Sequence, residues 1–192
     1  MKNFWAAIVF LGALVTAGCS ASIGTSGVHV NYGNEKASPS WQTVTYDQYD
    51  GRKLSLELPY ELKEDKDCFI NDPNISRQEY YDNNDVGIWT SVYHLCFDDP
   101  KWEVDFGMKS FGLNLDKDYN PELKKMEKRT INGREVIYGE INMVNPSNEK
   151  LMVKCLGFDM DSEYWIIRYV YRESDKEARE IVDRSMKSIT IQ

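Results

Sequence analysis

Alternation of apolar and polar residues is clearest at Lys53-Leu54-Ser55-Leu56-Glu57-Leu58-Pro59, where three leucines share one face and polar residues the other. A period of two marks a strand with one buried face, and proline ends it because it cannot donate to a ladder. A looser alternation from Trp41 to Asp47 precedes the turn-prone Asp50-Gly51. Ile88 to Phe97 reads as a further strand, with Trp89, Tyr93, Leu95 and Phe97 on one face. The intervening Glu61 to Asp85 is polar, acidic and rich in turn residues, and is expected to be a long loop. Pro100 to Leu113 carries two signals: Trp102, Val104, Phe106 and Met108 alternate as in a strand. Asp98-Asp99-Pro100, by contrast, suits a helix start, with acids at the positive end of the dipole and proline in the first turn.

The C-terminal half is more regular. Lys125 to Ile131 and Arg134 to Val144 flank Asn132-Gly133, the strongest short signal for a hairpin because both residues tolerate positive φ. Asn145-Pro146-Ser147-Asn148 makes the next turn, and strands over Lys150 to Phe158 and Tyr164 to Tyr171 continue the meander. Ser174-Asp175-Lys176-Glu177 is a capping box. It opens a helix whose Ala178, Ile181, Val182, Ser185 and Ile189 recur at helical spacing. The pattern predicts an α+β domain, an antiparallel sheet meander with helices packed against it.

The N-terminus follows a different logic. Lys2 precedes an uninterrupted apolar run from Phe4 to Val15, followed by Thr16-Ala17-Gly18-Cys19. A charged start, a short apolar stretch and small residues before the cut describe a secretory signal. The run falls short of the roughly 20 residues needed to cross a bilayer. Ala-Gly-Cys in this place resembles the bacterial lipobox, in which the cysteine is acylated, typically with palmitate, and becomes the first residue; Thr16 stands where leucine is usual. Residues 1–19 are therefore expected to be a lipoprotein signal peptide with Cys19 as the lipidation site. By resemblance to enterobacterial lipoproteins, Ser20 after the cysteine favours sorting to the outer membrane, facing the periplasm, if the organism is Gram-negative. Residues 20–40, rich in Gly, Ser, Asn and Ala, read as a flexible tether of about 25 Å reach. Residues 41–192 remain as a single domain large enough for a real core.

A formal net charge of −8 argues against nucleic acid as a partner, which would require a basic face. Besides Cys19 there are Cys68, Cys96 and Cys155. An exported chain matures where disulfides persist, so one bridge and one leftover thiol are expected. The favoured pair is Cys68–Cys96, closing a loop of about 29 residues worth roughly 3–4 kcal/mol. Cys155 is placed on the core face of its strand as an inert thiol.

Three stretches resemble the DcrB family of enterobacterial envelope lipoproteins, part of the broader PsbP-like α/β/α sandwich. Asp50 to Pro59 is similar to that family's opening strand, with one extra basic residue, and Asp98-Asp99-Pro100-Lys101 to the lead-in to its first helix. Glu180 through Gln192 is similar to its last helix and short apolar tail. The resemblance spans most of residues 45–192 and favours helix for the two-signal segment. It implies an envelope location and transfers no catalytic residue. The acidic stretch Glu61 to Asp85 and the expected disulfide depart from the family pattern.

Candidate chemistry is sparse. The two histidines are His29, in the tether, and His94. No nucleophile elbow, phosphate loop or paired-cysteine metal motif occurs. His94 and Cys96, two apart, share a strand face and could make a Cys/His nucleophile or half a metal site; the favoured reading is an oxidised Cys96 with His94 beside it at the surface. Asp116, Asp118, Asn120 and Glu127 match calcium-loop spacing, but Pro121 occupies the place that needs glycine, so a solvated acidic loop is expected and no metal. Trp165, Ile167, Tyr169 and Tyr171 form an aromatic stripe read as core rather than a ligand groove. The sequence thus points to a membrane-anchored envelope lipoprotein without catalytic site or cofactor. It would act as an accessory module for an envelope protein partner. The alternatives are an immunity protein against a secreted toxin, and a hydrolase or a binder of small ligands or calcium.

Overall fold

A computed structural model describes residues 40–47, 51–67, 75–84, 86–97, 121–160 and 163–192. The expected signal peptide with Cys19, the tether, Cys68 and the two-signal segment 100–113 lie outside the described residues. Two sheets and a helix make up the described fold. β1 (Gln42–Asp47) and β2 (Lys53–Leu58) form an antiparallel pair, and the C-terminal β10 (Thr190–Ile191) adds to β2. The larger sheet comprises β3 (Lys63–Glu64), β4 (Ile75–Asn83), β5 (Ile88–Phe97), β6 (Glu122–Ile131), β7 (Arg134–Val144), β8 (Lys150–Met160) and β9 (Glu163–Arg172). Its order is β3-β4-β5-β9-β8-β7-β6, antiparallel throughout.

The β6–β7 hairpin turns at Asn132 (φ 49°) and Gly133 (φ 82°), so both central residues take the left-handed conformation that matches strand twist. The next turn is tied by Asn145, whose backbone carbonyl accepts from Asn148 N (2.8 Å) and whose Oδ1 accepts from Glu149 N (2.9 Å). Helix α1 (Lys176–Ser188) begins one residue later than the capping box predicts: Asp175, not Ser174, is the N-cap, its Oδ1 accepting from Ala178 N at 2.9 Å. Aspartate is at least as good a cap as serine and brings a negative charge to the positive helix end.

The expectation of a long loop over Glu61 to Asp85 is corrected, because β3 and β4 form within it. β4 carries Arg77, Gln78, Glu79 and Asp82 with little apolar alternation, and its strand conformation is imposed by pairing along β5. In the second sheet, β1 falls on the loose alternation of Trp41 to Asp47, and only the short β10 has no local signature.

The leucines of β2 (Leu54, Leu56, Leu58) are fully buried against Trp165, Ile167, Tyr169 and Tyr171 of β9, with Ala178 and Val182 of α1 in the same cluster. The stripe on β9 is core, as its alternation indicates. Polar contacts lock the layers: Tyr169 OH with Ser185 Oγ (2.8 Å), Lys154 Nζ with Asp183 (2.5 Å), and Glu57 N donating to Ser188 Oγ (2.7 Å). The opposite face of the larger sheet has its own buried set, Trp89, Ile141, Met143, Leu151, Val153 and Val170.

Two substitutions probe this arrangement by urea denaturation. Leu56→Ala removes a fully buried side chain from between the layers and should cost about 2–5 kcal/mol. Gly133→Ala meets no atom within 4 Å, so its cost, about 1–2 kcal/mol, should come from backbone conformation alone.

Candidate functional site

Register across β4, β5 and β9 assembles one polar cluster on the face that meets β2. Glu79 lies opposite His94, and His94 opposite Trp165; in the adjacent row Arg77 lies opposite Cys96, and Cys96 opposite Glu163. His94 and Cys96 do share a face, as their spacing requires. The expected surroundings are corrected: His94 is 2% exposed rather than a surface residue.

Both imidazole nitrogens face carboxylates. Nε2 is 2.7 Å from Glu163 Oε2 and Nδ1 is 3.3 Å from Glu79 Oε2. The ring stacks on Trp165 with centroids 3.9 Å apart and planes 12° from parallel, and Trp165 lies nearly parallel to Phe158 in turn. Glu79 is also ion-paired to Arg77. Desolvation opposes ionisation of Glu79, but the Arg77 and His94 contacts outweigh it and hold its carboxyl below the usual carboxylate range.

Cys96 Sγ lies 3.7 Å from His94 Nε2. Among the described residues Cys96 and Cys155 are free thiols, and Cys68, the partner expected for Cys96, lies outside them. Burial, reinforced by the Glu163 carboxylate, pushes the Cys96 thiol up to about 12 despite Arg77. Burial has the same effect on Cys155, also to about 12, with its Sγ 3.7 Å from Gly139 O. A protonated thiol whose neighbouring imidazole nitrogen already contacts a carboxylate at 2.7 Å is poorly set for nucleophilic attack.

Sequence reasoning found His94 and Cys96, and placed Trp165 in the core without its stacking on His94, but did not find Glu79 or Glu163. Glu79 was hidden in the segment expected to be a loop, and Glu163 is the first residue of β9, just before the expected strand; only strand pairing brings either to His94. Of the calcium-like spacing, residues 116–120 lie outside the described residues. Its last member, Glu127, sits on β6 and is ion-paired to Lys125 (2.9 Å) and Arg129 (2.5 Å).

The sequence matches no family model and no curated protein. Among solved structures, the chain is similar to cyanobacterial PsbP from Synechocystis sp. PCC 6803, with a TM-score of 0.49 and 14% identity over 88% of this chain and 100% of that one. It is similar to LpqN of Mycobacterium tuberculosis, a protein involved in cell envelope biogenesis, with a TM-score of 0.44 and 12% identity over 79% and 91% of the two chains. A Pseudomonas aeruginosa protein of unknown function gives a TM-score of 0.41 and 12% identity over 76% and 94%.

The thiol state is directly testable. At pH 8 a thiol of pKa about 12 is ionised to only about one part in 10⁴, so Cys96 and Cys155 should resist iodoacetamide in the native protein. Both should label fully in urea without reductant, read by peptide mass spectrometry. A Cys96 peptide that labels only after reduction would restore the disulfide.

Proposed function

We propose that the chain is a lipid-anchored bacterial envelope protein whose domain, residues 41–192, serves without catalysis as a binding or accessory module for another envelope protein. The observation that carries this reading is Thr16-Ala17-Gly18-Cys19 directly after the apolar run Phe4 to Val15. Two or three acyl chains at about 0.8 kcal/mol per buried methylene anchor a protein stably. No helix among the described residues is long and apolar enough to cross a membrane. The non-catalytic part is supported by Cys96: its thiol is held protonated and buried, where a cysteine nucleophile needs an accessible thiolate.

The test compares wild type with Cys19→Ala in cells fed labelled palmitate, with cross-linking and affinity capture from both. Wild type should take up label, sediment with membranes and retain a reproducible envelope protein. Cys19→Ala should lose the label and appear in the soluble fraction. Unchanged membrane association of Cys19→Ala would overturn the anchor, and capture of a secreted toxin would replace the accessory role with immunity.

A further inference from the structure

We propose that His94 Nε2, Cys96 Sγ and Glu163 Oε2 form a zinc-binding site, with Glu79 as the outer partner that orients His94. The three ligand atoms lie within 4.8 Å of one another, and all three residues are buried. This inference is independent of the envelope reading.

The donor set is the first argument. One thiolate, one imidazole and one carboxylate are the ligand types that Zn²⁺ combines, whereas calcium and magnesium take oxygen. Separation is the second. With Zn–S about 2.3 Å and Zn–N about 2.0–2.1 Å, tetrahedral geometry sets sulfur and nitrogen about 3.5 Å apart. The observed Sγ···Nε2 distance is 3.7 Å. The Nε2···Oε2 distance of 2.7 Å is that of a hydrogen bond, and must widen by about half an ångström to admit an ion.

The surroundings supply the third. A zinc-bound histidine almost always donates its other ring N–H to a carboxylate, a backbone carbonyl or water, which fixes the tautomer and raises ligand basicity. Glu79 stands at Nδ1 at 3.3 Å, itself paired to Arg77, and Trp165 holds the ring plane by stacking. These groups sit on three adjacent paired strands, whose register fixes the positions of their Cα atoms.

Charge gives the fourth. Zn²⁺ with one thiolate and one carboxylate sums to zero, so the loaded site replaces a protonated network without leaving net charge in the core. Binding displaces the thiol proton of Cys96 and the proton shared between Nε2 and Glu163, both released to solvent; no electron is transferred. A fourth ligand, water or a further group, completes a tetrahedral ion.

The experiment uses the full chain, reduced and solubilised in detergent, titrated with Co²⁺ as a spectroscopic stand-in for zinc and then with Zn²⁺. One equivalent of Co²⁺ should produce the visible bands of a tetrahedral ion and a near-ultraviolet thiolate-to-cobalt band, both bleached by one equivalent of Zn²⁺. Cys96→Ser should abolish the thiolate band and Cys155→Ser should keep it. Glu79→Gln should bind with the same stoichiometry but about 10–100-fold more weakly. Zinc at a hundredfold above Kd should raise the wild-type Tm by about 5–10 °C. The absence of a thiolate band in the wild type overturns the proposal whatever the variants do. A band that survives Cys96→Ser overturns it as well.

Discussion

Strand β9 imposes the constraint on which the rest of the structure depends: from Glu163 to Tyr171 every residue except Arg168 is buried. A strand buried on both faces must have an apolar layer on each side and a paired neighbour at each edge. β5 and β8 occupy the edges, while β2 and α1 cover the face of Trp165, Ile167, Tyr169 and Tyr171. Every polar group on β9 must then find its partner inside the protein. Tyr169 OH reaches Ser185 and Glu163 reaches His94, so the polar network follows from β9 being central. The short return of β10 onto β2 has the same origin. It extends the small sheet that lies over the leucines and fixes the chain end, with Lys53 N donating to Gln192 O at 2.8 Å and Gln192 N to Lys53 O at 2.9 Å.

Local structure was legible where it is local in cause. Asn132-Gly133 announces the hairpin because few residues accept positive φ at both central positions, and the leucine alternation of β2 announces its buried face. Strand order was not legible, since β5 pairs with β9, far along the chain, and nothing within β5 specifies that partner. β4 was missed for a related reason: Arg77, Gln78 and Glu79 become strand by lying along β5, a tertiary effect that overrides local preference. Strand β2 and the C-terminal helix, far apart along the chain, meet in space, since α1 and β10 both contact β2.

The cluster around His94 shows the same division at finer scale. That His94 and Cys96 share a face follows from a spacing of two. That the face is buried, and lined by carboxylates, does not, because Glu79 and Glu163 lie 15 and 69 residues away along the chain. Export suggested oxidation of Cys96, a compartment argument blind to what surrounds the sulfur. In the structure the Cys96 thiol stands beside an imidazole and a carboxylate, where burial and negative charge together keep it protonated.

The two faces of the sheet hold their buried charge in chemically opposite ways, and the contrast indicates which one can act as a site. Behind the sheet, Arg168 lies 4.9 Å from the Trp89 ring and 5.5 Å from the Tyr93 ring, with Nη2 3.5 Å from Tyr93 OH. Ring faces stabilise a desolvated guanidinium by about 2 kcal/mol, and an arginine has no proton it will give up and no lone pair to offer. Its guanidinium is thus held by ring faces and the Tyr93 hydroxyl, in the same register row as Asp82 and Cys155. The His94 face is built from lone pairs of sulfur, nitrogen and oxygen, held together by protons that sit between them. Protons can be exchanged for a metal ion without moving a strand, because the heavy atoms already surround a volume close to the size the ion requires. The inner face thus gathers an imidazole, a thiol and a carboxylate within reach of one ion, whereas the outer face is centred on a guanidinium.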